Sequence, residues 1–134
     1  MKFTISIFKN NEKNFFDYKK VCQFKGHVEK IYRIIQLSNN LIASGSADRS
    51  LIIWEKIKKN DLIDLQRISN IKLEILPYNL VECPYTNELI CNSQTVDLKT
   101  YKVKRKLNIS FPGSNFNCSI CLFKEKYLDY TDFM

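Results

Sequence analysis

Apolar and polar residues alternate along this chain in short segments broken by Asn, Asp, Pro and clusters of lysine. Residues 3–8, FTISIF, put Phe3, Ile5 and Ile7 on one side and Thr4, Ser6 and Phe8 on the other. That period of two is the signature of a half-buried strand. After a polar connection, KNNEKNFFD, the alternation resumes at 18–24, with Tyr18, Lys20, Cys22 and Phe24 on one side. Four more apolar segments follow at 28–37, 41–44, 51–56 and 62–68, the last two separated by the turn-like KIKKND. In the first of them Val28, Ile31, Ile34 and Ile35 also fall at helical spacing, but its β-branched content tips it toward strand. From residue 69 the segments shorten to IKLEIL, NLVECPY, ELICN, TVDLKTYKV and KRKLNI. Pro77 and Pro84 mark strand ends or edges, because proline cannot donate to a ladder. Phe111-Pro112-Gly113 reads as a turn, and FNCSICLF and KYLDYTDF read as two further strands. The pattern predicts an all-β chain.

One stretch, residues 24–55, organises the rest. It opens with Gly26-His27, passes an apolar run and Asn39-Asn40, continues as LIASGSADRS and closes on LIIW at Trp54. In order and spacing these landmarks resemble one WD40 repeat, the unit that forms a blade of a β-propeller. The usual Trp-Asp ending is Trp54-Glu55 here. The resemblance implies a buried relay of hydrogen bonds running from Asp48 to His27, from His27 to Ser44, and from Ser44 to the indole N–H of Trp54. Such a relay leaves no buried donor or acceptor unpaired, and an orphan costs roughly 1–3 kcal/mol. Ser46 competes with Ser44 for the hydroxyl position. Gly45 allows close backbone approach or a bulge. The resemblance also implies a binding rim formed by the turn before the repeat's first strand and the turn between its second and third. That rim carries Glu29, Lys30, Tyr32, Ala47 and Arg49, of which Glu29, Tyr32 and Arg49 are the candidate partner contacts. Tyr32 could equally pack between blades, and Arg49 could be a solvated turn residue.

Laid against the repeat, residues 3–24 read as the last two strands of a preceding blade and 25–68 as the best-defined blade. Residues 69–110 read as a degenerate blade without Gly-His, turn Asp or Trp, held by apolar packing and lacking the relay. Residues 114–134 read as the start of another. At about 40–45 residues per blade this is roughly three blades, where propellers close with four to eight. The expected architecture is therefore an all-β, partial WD40-type propeller. It would be an open fragment belonging to a longer propeller, completed by other copies or a partner, or left by a decayed gene.

The 134 residues are 45% hydrophobic and 26% charged, which suits one soluble globular domain. No apolar run approaches a membrane span, and the N-terminus lacks a signal-peptide layout; the expected location is cytoplasmic, or else nuclear. The net charge of +7 admits a nucleic-acid-associated propeller as the alternative function. The lysines are spread along the chain, however, without the basic stripe and interleaved aromatics of a nucleic-acid groove. Five cysteines without a secretory signal point to free thiols. Cys118 and Cys121 form a lone CxxC, and with His27 the sole histidine no zinc set is complete. His27, Ser44 and Asp48 have the composition of a hydrolytic triad, but the serine lies in an apolar strand without a nucleophile elbow or a donor loop. The expected function is a non-enzymatic, cofactor-free scaffold for protein–protein contact.

Overall fold

The computed structural model describes residues 3–11, 13–60 and 62–108. Within them the chain forms strands and turns and no helix. β1 (Phe3–Asn11) and β2 (Asn14–His27) make a hairpin. β3 (Ile31–Gln36), β4 (Ile42–Ser46), β5 (Ser50–Lys59) and β6 (Leu62–Lys72) make a four-stranded antiparallel meander. β7 (Leu80–Cys83), β8 (Glu88–Cys91), β9 (Gln94–Asp97) and β10 (Lys102–Lys106) make a second one. The three sheets are separate and none closes into a barrel.

Strand β5 explains how the layers stack. Leu51 and Ile53 point into a core shared with the second meander, where Leu80, Leu89, Cys91 and Val96 meet Ala43, Ile71 and Leu73. Ile52 and Trp54, one residue out of phase, point the other way, toward Ile5 of the hairpin and Leu65. A strand buried on both faces needs apolar residues at consecutive positions, which is what LIIW supplies. Each such side chain contributes about 1.5–3 kcal/mol by burial. Two bulges adjust the neighbouring strands to these two cores. Between Ile31 and Arg33, and opposite the Ile53/Trp54 step on β6, the register shifts by a residue. Ile31 and Leu65 therefore face the hairpin, while Ile35 and Ile71 face the second meander.

Several sequence expectations need correction. The polar stretch 9–17 is mostly paired strand, because the β1–β2 ladder runs on to Asn11↔Asn14. KIKKND is likewise absorbed into the β5–β6 ladder as far as Lys59↔Leu62. TVDLKTYKV is broken by a turn at 98–101, where Tyr101 takes a left-handed φ of 57°. The apolar segment 28–37 contains β3 but is not fully covered, since Ile34 is 43% exposed. β3 is an edge strand with β4 as its ladder partner among the described residues, so its other edge is open and side chains beside that edge have fewer neighbours. Pro77 and Pro84 do flank β7, outside its ladder. The turn at Pro112-Gly113, the strands expected beyond it, and Cys118 and Cys121 lie outside the described residues.

Candidate functional site

The polar centre lies on the hairpin side of the first meander. β2 delivers His27 at its last residue, β4 delivers Ser44, β5 delivers Trp54, and the β4–β5 turn delivers Asp48. Ser44 and Trp54 share a face because they lie on paired strands, with Ser44 opposite Ile52 and Ile42 opposite Trp54. His27 Nε2 is 2.7 Å from Ser44 Oγ, and Trp54 Nε1 donates to the same oxygen at 2.8 Å. His27 Nδ1 is 3.2 Å from Asp48 Oδ2. All four residues named from the sequence are thus brought together, and the hydroxyl between the rings is that of Ser44. Ser46 has a different task, donating to the Glu29 carbonyl at 3.1 Å and accepting from Asp48 N at 3.2 Å.

Proton counting assigns each bond a direction. An indole N–H can only donate, so Ser44 Oγ accepts from Trp54; the Asp48 carboxylate can only accept, so Nδ1 bears the imidazole hydrogen and Nε2 of the neutral ring accepts from the Ser44 hydroxyl. The imidazole is then neutral with its hydrogen on Nδ1, where Asp48 accepts it. Ser44 is 0% exposed and His27 5% exposed. Burial pushes the His27 pKa below its ordinary value of 6.5, against the opposing pull of Asp48, and Arg67 adds to the lowering. Burial would raise the Asp48 pKa, but the Ser50 hydroxyl, the amides of Val28 and Ser50, and His27 hold it below 3.8.

Ser50 is the member that sequence reasoning missed. Its Oγ lies 3.1 Å from His27 Nδ1 and donates to Asp48 Oδ1, while its amide donates to the same carboxylate oxygen at 2.9 Å. The signal was present as Asp48-Arg49-Ser50, since an Asp side chain commonly accepts from the backbone two residues on. Gly26 was noted only as half of a motif. A Cβ there would overlap the Trp54 ring, coming within 2.7 Å of Cζ2, so the indole needs a bare backbone at this position. Gly45 serves close approach in the same way: an added Cβ would be 3.0 Å from Pro77 of the β6–β7 connection.

The rim residues are distributed around the β4–β5 turn. Ala47 N donates to the Lys30 carbonyl at 2.8 Å, which ties that turn to the one after β2. Glu29, Lys30 and Arg49 are exposed. Tyr32 is half-buried and packs against Tyr78, with ring centroids 4.3 Å apart and planes tilted by 40°. Its hydrogen bond with Tyr78 raises its pKa. Tyr32 therefore bridges the first meander and the connection to the second. Glu29 and Arg49, with Lys30, are the exposed members of the rim.

The second meander contains no copy of the His-centred relay, but apolar packing is not all that holds it. Glu88 has a side chain 4% exposed and accepts from Arg105 Nη2 at 2.8 Å, with Lys104 Nζ at 3.5 Å. Burial pushes its pKa up, and its hydrogen bonds and these cations pull it lower still. Cys91 is buried and its thiol is pushed up to about 12 by burial. No group of three or more His, Cys, Asp or Glu among the described residues is placed to hold a metal ion. Comparison with protein-family models, with curated proteins and with solved structures found no match.

Proposed function

We propose that the chain is a segment of a WD40-type propeller, an open arc of roughly three blades, acting as a non-enzymatic scaffold for protein–protein contact. The observation that carries this reading is the unbroken relay Asp48–His27–Ser44–Trp54, drawn from three strands and a turn onto one face of a four-stranded meander. A second meander of the same connectivity stacked on its opposite face supports the blade reading. Further blades, from a longer chain or from other copies, would complete the ring. The sealed position of Ser44, at 0% exposure with its oxygen engaged by Trp54, supports a structural rather than a nucleophilic role. No helix among the described residues is long and apolar enough to cross a membrane. The reading carries a cytoplasmic or nuclear location and needs no cofactor.

A photo-crosslinking amino acid installed at Glu29, at Arg49 or at Tyr85 in cells tests the scaffold reading. Tyr85 lies in the turn after β7, away from the rim, and is 76% exposed. Discrete protein adducts from positions 29 and 49, and none from 85, are expected. Adducts to nucleic acid alone, or an equal yield from all three positions, would overturn it. A serine-directed fluorophosphonate probe should leave Ser44 unlabelled; labelling there would make the chain a hydrolase.

A further inference from the structure

Six non-glycine residues among those described have left-handed backbone, and four of them are asparagines: Asn40, Asn60, Asn87 and Asn92. Asparagine suits that conformation because its short amide hydrogen-bonds locally at little steric cost. The two departures are Tyr101 at φ 57° and Arg49 at φ 61°. Tyr101 packs against the larger core, which offsets its backbone strain. Arg49 has no such contact. It is exposed, and its guanidinium makes no hydrogen bond or ion pair with any described residue. Folding would be served at least as well by Asn at position 49. A strained, unpartnered side chain at the tip of a rigid turn is the kind of outlier that points outward, to recognition.

The surroundings define the chemistry. Arg49 N donates to the Ser46 carbonyl at 3.1 Å, and the Arg49 carbonyl accepts from Leu73 N at 2.8 Å, so the turn is held at both ends. The bond from Ala47 N to the Lys30 carbonyl brings Lys30 alongside, and the Ser50↔Lys72 pairing brings Lys72. Both lysines are exposed and make no ion pair with a described residue. Beside them stand Val28, 77% exposed, and the carboxylate of Glu29. Three exposed cations around one turn, with an apolar residue and the Glu29 carboxylate at their margin and the Asp48 carboxylate turned inward to His27 and Ser50, make a small mixed patch.

We propose that this patch docks an acidic, extended segment of a protein partner, with Arg49 gripping a carboxylate through its planar fork and Lys30 and Lys72 adding charge. The proposal rests on the scaffold reading above and adds the chemistry of the partner. A nucleic-acid strand fits less well. It carries a charge at every phosphate and needs a basic track, whereas Glu29 interrupts this one. A peptide can set an uncharged residue against Glu29 and Val28.

The test titrates the 134-residue chain into fluorescein-labelled oligoglutamate, with oligodeoxythymidylate as the second probe, and follows anisotropy at low and at physiological salt. Arg49→Asn keeps a residue suited to the left-handed turn, so its melting temperature should equal or exceed that of the parent. Its oligoglutamate affinity should fall by at least about fivefold, as for the loss of a charge-assisted fork. Lys102→Gln on β10 and Lys58→Gln on β5 remove the same charge elsewhere and should change affinity less than about twofold. Equal losses in all three variants would reduce the binding to net charge and overturn the proposal, as would unchanged binding in Arg49→Asn. Tighter binding of the oligonucleotide, lost in Arg49→Asn, would assign the patch to nucleic acid instead. Protein crosslinks at the rim without oligoglutamate binding would leave the scaffold reading standing and refute this one alone.

Discussion

Asp48→Ala removes the acceptor on which the relay and the β4–β5 turn both depend. The carboxylate accepts from Val28 N at 3.1 Å, from Ser50 N at 2.9 Å, from the Ser50 hydroxyl, and from His27 Nδ1 at 3.2 Å. Val28 N stands near solvent and can turn to water, so its loss costs little. Ser50 N and the imidazole N–H are less fortunate, since Ser50 is 3% exposed and the His27 side chain 0% exposed. At roughly 1–3 kcal/mol for each of these two buried donors left without a partner, the sum is about 2–6 kcal/mol. Ser50 Oγ, 3.1 Å from Nδ1, can accept part of the orphaned hydrogen bond and keeps the total toward the lower end. The assay is urea unfolding of the 134-residue chain followed by Trp54 fluorescence, the probe being itself a member of the relay. Arg49→Ala, one position along and exposed, should cost less than about 0.5 kcal/mol. Equal and small losses in the two variants would show that the Asp48 contacts carry no stability and would refute the reasoning.

The remaining predictions concern neighbouring sites. Ser44→Ala orphans both the Trp54 N–H and His27 Nε2 and should cost about 2–4 kcal/mol, and combined with Asp48→Ala it should cost less than the sum of the singles. A strictly additive double mutant in the same unfolding assay would mean that the relay does not act as a unit. Gly26→Ala drives a methyl into an indole that Ser44 holds in place; a loss of about 1–3 kcal/mol with a shifted Trp54 emission is expected, and a neutral result would mean the ring moves freely. His27 has its folded-state pKa below 6.5, so the unfolded chain binds the additional proton first. Its contribution to stability is complete above that value and falls as the pH drops through it, and Asp48, also lowered, adds a second loss below 3.8. Unfolding midpoints measured between about pH 7.5 and 5 should decline in the parent, and the decline should be shallower in His27→Gln; parallel slopes would remove His27 from the explanation. Cys91, with its thiol pushed up to about 12, should resist iodoacetamide in the native state while half-buried Cys83 reacts faster, as peptide mapping would report.

Much of the first meander could be read from the letters. Alternation locates strands, and LIIW announces a strand buried on both faces because no water-facing position interrupts it. The relay was legible only through the likeness of residues 24–55 to a WD40 repeat, in which Gly-His, the strand serine, the turn Asp and the closing Trp come in this order; periodicity alone does not pair His27 with Ser44. The second meander was harder to read. Its strands are short, and a four-residue apolar run looks much the same at a core face as in a packed connection. Glu88 gave no sign of being buried, because Arg105 lies 17 positions away and only the β8–β9–β10 ladder brings the two into contact.

Strand content follows from the sequence alone, because it depends on local periodicity; the strand order around residues 24–68 and the identities of the relay residues came from the resemblance of that stretch to a WD40 repeat. The choice of Ser44 over Ser46, the inclusion of Ser50 and the seating of Trp54 on Gly26 depend on the tertiary structure. So do the exposure of Ile34 and the lack of a hydrogen bond or ion pair from the Arg49 guanidinium to any described residue. Each turns on which atoms, distant in the chain, occupy one small volume. Ladder register and bulges decide that: a shift of one residue sends a side chain to the opposite face of its sheet, and no local pattern records where the shift falls.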